Sequence, residues 1–384
     1  MTCGKPLWWC AALLATGIAA GLLAPSAWYL PASALTLVAG TLMHAMHKGG
    51  GLALLAFWLF MGAARASMDT LPPTPAPPAW ESMQAEATRL GGLLHTRLHK
   101  AGLRGESLSV GSALLLGRRE SISRSTTQAY RESGAAHLLA LSGLHLGILY
   151  GLLHLVVIRR IRLARWRWIA LAPLLLLVWG YVLLAGIPPS LVRAAAMCSV
   201  TMVASLARRN ASATHTLTLS ALAILLWSPS SLLSVSLQLS FMAVFFILAA
   251  CARPHTGQGW PGRMRQMAAV SSAAWLGTSP LSAYYFHNIP LLSVPLSMLL
   301  VPLTTLIVYL TAATLILPVA PLAACLDMLI SLQNSIVRLG ASLPHTIVRN
   351  LYPDWWHVAA TYALLLLAIT RLNARRRQAL PTER

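Results

Sequence analysis

Apolar residues run through this chain in long continuous blocks divided by short polar connections. Leu7 to Leu23, Trp28 to about Met46, and Gly51 to Arg65 are the first three, and each predicts a helix buried in lipid. The small residues Ala24-Pro25-Ser26-Ala27 would suit a secretory cleavage site. Two more apolar runs follow at once, however, so an uncleaved first span is expected. Gly17 and Gly21 form a GxxxG pair in that span, which permits close helix contact. None of the blocks alternates apolar with polar residues, which argues against a β-barrel.

The pattern changes after Arg65. Leu71 to Pro78 is a proline-rich stretch that predicts a stiff, extended linker. Beyond it, Met83, Ala87, Leu90, Leu94 and Leu98 recur at helical spacing, with Glu86, Arg89, Arg97 and Lys100 off the stripe. That predicts an amphipathic helix lying on the membrane surface or on its own bundle. His95 and His99 are four apart, but no HExxH pattern accompanies them, so no metal is expected. Three regions follow: 1–65, a three-span membrane segment; 66–135, an extracytoplasmic linker and amphipathic helix; and 136–384, a membrane domain.

Apolar spans dominate again from His137, and arginines orient them. The cluster Arg159, Arg160, Arg162, Arg165 and Arg167 marks a cytoplasmic loop. Crossings at about Trp168 to Gly186 and Ser190 to Ala207 then turn outside at Pro188-Pro189. Arg208-Arg209, Arg253, Arg263 and Arg265 mark further inner loops. The C-terminal Arg371, Arg375, Arg376 and Arg377 belong inside, and counting backwards puts the N-terminus inside too. Between Pro290 and Cys325, Pro295, Pro302, Pro318 and Pro321 interrupt the pattern. That stretch holds either two short spans or one span plus a re-entrant half-helix. Leu326 to Leu343 reads as an interfacial helix. The expected fold is all-α: a polytopic helical membrane protein with about ten to eleven spans.

Composition agrees: 57% of the 384 residues are hydrophobic and 10% charged, too few charges for a soluble surface. Lys and Arg number 29 against 9 Asp and Glu, a formal charge of +20 that owes most to orienting loops and also suits an anionic partner. Cys3, Cys10, Cys198, Cys251 and Cys325 lie in or beside apolar segments with no CxxC, so they read as packing residues.

The chemistry concentrates in His137 to His154. On a helical wheel Gly143, Gly147 and Gly151 fall within about 80° of each other and offer a packing face, while His137, Ser142 and His145 occupy an arc of about 140° opposite. Polar groups at membrane depth are costly, which favours a functional lining. Arg193, just past the turn at Pro188-Pro189, stands on the side where arginine is unusual, and a phosphate or carboxylate would reward it. Ser234, Ser236, Gln238 and Ser240 alternate strictly, but a strand would leave backbone unpaired in lipid, so a helix start is expected. No Walker A, GxSxG or zinc-protease motif is present, and all nine acidic residues lie outside His137 to Phe286. Proton relays, cation sites and magnesium-dependent phosphoryl chemistry are therefore disfavoured; no catalytic residue, metal or cofactor is expected.

Several stretches together resemble the signature of the ComEC competence proteins: Ala113 to Arg118, Tyr130 to Gly134, His137 to His145, Pro189 to Ala194, Ser236 to Phe241, and Thr278 to Pro280. The resemblance implies an inner-membrane channel for single-stranded DNA in natural transformation. It places His137, Ser142, Gly143, His145, Arg193, Gln238, Ser240 and Pro280 in the family's characteristic core. Many relatives carry an OB-like domain after the third span and end in a metallo-β-lactamase-like domain, so this chain resembles a short form. The implied partners are single-stranded DNA, the membrane, an extracytoplasmic DNA receptor, a separate nuclease, a cytoplasmic motor or strand-binding proteins, and a second copy of the chain. Arg118, Arg119, Arg124 and Arg131 are candidates to receive DNA. With eight basic and six acidic residues over 66–135, that region is only weakly attractive. The rival readings are a transporter of a small anionic or amphipathic solute and an enzyme acting on a lipid-linked substrate.

Overall fold

The computed structural model describes residues 5–23, 78–139, 141, 143–156, 164–206, 213–251, 259–344 and 346–378, with scattered positions between 33 and 66. Most of the second and third N-terminal blocks, together with Ser142 and the loop carrying Arg159, Arg160 and Arg162, lie outside the described residues. The protein is all-α, apart from one short strand pair among these residues. It forms two compact units: residues 1–82, 153–177 and 192–238, and residues 83–152, 178–191 and 239–384.

In the first unit, α1 (Lys5–Leu23) packs on α9 (Ala213–Trp227) and on a 3-10 turn (Pro229–Leu233). The GxxxG pair is in use, since Gly17 and Gly21 stand against the backbones of Leu59 and Ala63 with no room for a Cβ.

The second unit is organised by α12 (Ser293–Ile316) and α13 (Ala320–Ser342), an antiparallel pair joined at Leu317–Val319. The stretch rich in prolines thus resolves into one long helix with Pro302 inside it, followed by the start of the next. α13 includes the segment that the sequence reads as interfacial. Both helices, and residues 355–372 of α14 (Trp355–Gln378), are long and apolar enough to cross a membrane. Shorter apolar helices accompany them, including α1, α8 (Pro189–Leu206), α9 and α10 (Val235–Ala250). This is a membrane protein; among the described residues three helices are long and apolar enough to cross, which does not confirm the ten to eleven crossings that the sequence suggests.

Residues 78–139 are more than a linker and one surface helix. α2 (Pro78–Lys100) buries Ala87, Gly91 and Leu98 while Met83 and Leu90 stay exposed. α3 (Gly105–Leu116) is buried along nine of its twelve residues, and α4 (Arg124–Glu132) starts on a Ser123 cap that accepts from the Thr126 N–H at 3.1 Å. Both pack on α13, and α3 also on α12. At one end of the α12–α13 pair, Arg97 donates to the Ile316 carbonyl at 3.3 Å and Gly102 lies against Ala323. At the other end, Gly134 meets Ser293 and Gly340 meets Leu296. The chain from Arg97 to Gly134 therefore travels the length of a helix pair about 35 Å long. Strands β1 (Asn288–Pro290) and β2 (Ile347–Arg349) pair antiparallel, Ile289 opposite Val348, and the Arg349–Glu132 ion pair at 3.0 Å ties them to α4.

Candidate functional site

The stretch bearing both signature histidines is not one helix. α5 (Ala136–Leu139) is a single turn, Leu141 is non-helical, and α6 (Gly143–Val156) begins afresh. A continuous wheel therefore does not describe it. Gly143, Gly147 and Gly151 are exposed, and a Cβ at Gly147 or Gly151 would meet nothing described within 4 Å. The helix is buried through His145, Leu146 and Ile148. Among the described residues nothing packs on Gly147 or Gly151.

This break meets two others in the same unit. α3 ends at Gly117, whose φ of +77° suits glycine, with the Leu141 side chain and the Ala185 carbonyl crowding the place a Cβ would take. The turn after α7 (Ala164–Leu184) passes through Gly186 and Ile187, both at positive φ, into Pro189 at the head of α8. Two bonds fasten the three together: Ser190 Oγ donates to the Leu141 carbonyl at 2.5 Å, and the Tyr181 hydroxyl to the Leu115 carbonyl at 2.9 Å. Non-helical backbone at membrane depth persists only where protein buries it or where it lines water.

The polar groups around the breaks differ in access. His137 is exposed, and its Nδ1 lies 3.2 Å from the Gly134 carbonyl. His145 is 1% exposed. Arg119 is exposed, while Arg118 is half-buried beside Gly92 and 4.0 Å from Glu120. Arg124 and Arg131 stand exposed at the two ends of α4.

The other signature residues sit on helices. In the first unit Arg193, 4% exposed, donates from Nη2 to Ser236 Oγ at 3.0 Å. Ser236 occupies the first turn of α10, a helix as expected from the serine-rich stretch, and Gln238 Nε2 donates to the Leu232 carbonyl at 3.1 Å. In the second unit Ser240 is half-buried on α10. Pro280 is buried inside α11 (Trp260–Phe286), which runs on past it to Phe286. The hydroxyls of Thr278 and Ser279 bond back to the Ala274 and Trp275 carbonyls at 2.9 and 2.6 Å. Gly277 lies against Met242 and Phe246 of α10, and its carbonyl accepts from the Tyr362 hydroxyl at 2.8 Å.

The sequence reading missed a buried polar chain in the second unit. Thr304 donates to Gln333, Gln333 to the Tyr130 hydroxyl, and Tyr130 to Asn334, at 3.0, 3.0 and 2.9 Å. The adjacent amides Gln333 and Asn334 within a long apolar helix were the available signal. On α2, which is not among the apolar helices, His95 Nδ1 lies 2.8 Å from Ser112 Oγ of α3. Burial first, then Arg118 and His99, hold its pKa below the usual histidine range. Among the described residues no group of three His, Cys, Asp or Glu could hold a metal.

Residues 114–375 match the family described as Competence protein, a span that takes in all the signature stretches above apart from their first residue, Ala113. This chain belongs to that family. It is 35% identical over 194 residues to ComE operon protein 3 of Bacillus subtilis (strain 168). That alignment covers 50% of this chain and 24% of the relative, so the chain spans about a quarter of that protein's length. No solved structure matches the chain.

Proposed function

We propose that this protein is a passive conduit for single-stranded DNA across the bacterial inner membrane during natural transformation, and that it catalyses no reaction. The observation that carries the reading is the meeting of three chain breaks, two inside stretches of the family signature and the third leading into one at Pro189, with His137 exposed beside them. A phosphate-bearing strand needs a wet route with hydrogen-bonding or cationic walls, and irregular backbone is where helical membrane proteins make one. His145 and Arg193 are sealed in this conformation, so the proposed path is closed and conducts on opening. Both termini lie in the cytoplasm on this reading, as the basic C-terminal segment favours. The chain carries no nucleotide-hydrolysing motif, so a receptor outside, a nuclease, and a motor or strand-binding protein inside complete the process.

The test is uptake of labelled DNA into the cytoplasm of a deletion strain, with and without the restored gene. Loss of internal label with surface-bound DNA intact is the expected result. Undiminished internal label would end the reading, and saturable uptake of a small anion in its place would favour a solute carrier.

A further inference from the structure

Arg193 is a buried cation with little to hold it. Nη2 has the Ser236 hydroxyl at 3.0 Å, and Nε, buried, finds no acceptor. Among the described residues no carboxylate lies within 4.0 Å of the guanidinium. Its surroundings add positive charge. Ser236 stands in the first turn of the 16-residue α10, where the helix dipole is positive and the leading N–H groups lack intrahelical acceptors. Ser234 caps that turn by accepting from the Leu237 N–H at 3.2 Å, which leaves the N–H groups of Val235 and Ser236 ahead of the first helical bonds. A helix N-terminus facing an arginine is an arrangement that calls for an anion. Ser236 itself is exposed, so the buried fork lies one side chain behind an open surface.

We propose that Arg193, Ser236 and the first turn of α10 form a binding site for a backbone phosphodiester of a single DNA strand; this rests on the conduit reading above. One edge of the guanidinium, Nε–H with an Nη–H, donates to two phosphate oxygens side by side. The Ser236 hydroxyl, freed from accepting, turns to donate to the same group, and the α10 N–H groups face it. In the structure Ser236 stands in for one of those oxygens. The site reads backbone charge and no base, which suits a path that must pass any sequence.

The experiment uses the full chain in lipid nanodiscs and a fluorescent oligothymidylate as probe. Arg193→Gln is expected to weaken binding about tenfold and to flatten the salt dependence by about 0.7 in log–log slope, the share of one phosphate on a single strand. Ser236→Ala is expected to weaken binding about threefold. An uncharged methylphosphonate oligothymidylate should bind wild type and Arg193→Gln alike. Unchanged affinity and slope in Arg193→Gln, with wild type binding well, overturns this site and leaves the conduit reading standing. No saturable binding by wild type sinks both. Loss of co-purifying phosphatidylglycerol in Arg193→Gln with oligonucleotide binding intact makes the site a lipid site and also overturns the proposal. Should Arg193→Gln fail to accumulate, equal binding by Ser236→Ala and wild type is the overturning result.

Discussion

Tyr130, 0% exposed, sits in a relay where every bond has a giver and a taker, whereas Arg193, 4% exposed, sets a full charge against one hydroxyl. The relay from Thr304 through Gln333 and Tyr130 to Asn334 joins α4 to α12 and α13, and each member polarises the next. Such a network fixes one packing arrangement, because any shift strands a buried polar group. Arg193, in the other unit, has the opposite economy: its cost is met only in part, and replacing it removes a penalty. Burial alone therefore does not mark a functional residue. Among the buried polar groups, an unsatisfied one is the better guide.

The sharpest way to break this contrast is all-or-none. If the Tyr130 relay belongs to a core embedded in the bilayer, the chain that it anchors passes from one face to the other. Single cysteines at Lys100 and at Arg131, both exposed, should then label from opposite sides of the membrane. Labelling of both from outside would confine residues 78–139 to one face, as a purely extracytoplasmic 66–135 requires.

Next in size is damage to the relay. Gln333→Ala removes two bonds and buried volume and should cost about 2–4 kcal/mol, and Tyr130→Phe about 1–3 kcal/mol, read as a lower melting midpoint in detergent. DNA uptake per molecule should stay unchanged in either. Arg193→Gln should show the reverse: stability unchanged or raised by about 1 kcal/mol, with uptake reduced. A large loss of stability in that variant would make Arg193 a packing residue.

The smallest effect is a pH dependence at His95. The docked α2–α3 surface holds this histidine below its ordinary range, so the undocked state takes up a proton first as pH falls. Docking should be full above about pH 6.5 and weaken below it. Hydrogen exchange over residues 87–98 should quicken from pH 7.5 to 5.5, and His95→Gln should flatten that change.

Much of the helical outline was legible before any coordinates. Arginine spacing and apolar length gave α8 to within a residue or so, and the polar serines before Phe241 read as a helix start because lipid forbids a lone strand. What escaped notice has physical causes. α3 is too short to announce itself as a span and carries serines and glycines that mimic a loop. The interruption at Leu141 has no proline to mark it; tertiary contacts with Gly117 and Ser190 hold it open. The Tyr130–Asn334 bond links positions 204 residues apart, beyond any local periodicity. The candidate residues were found by type, but how sealed each would be depended on partners that no nearby sequence encodes.

α3 also imposes an order on assembly. Its twelve residues are too few to settle alone in hydrocarbon, and the helices that enclose it emerge from the ribosome on the order of tens of seconds later, at ~5–20 residues per second. Until α12 and α13 arrive, the segment waits without a home. A chain arrested before Ser293 should accordingly leave a cysteine at Ser112 open to labelling, and the finished chain should close it.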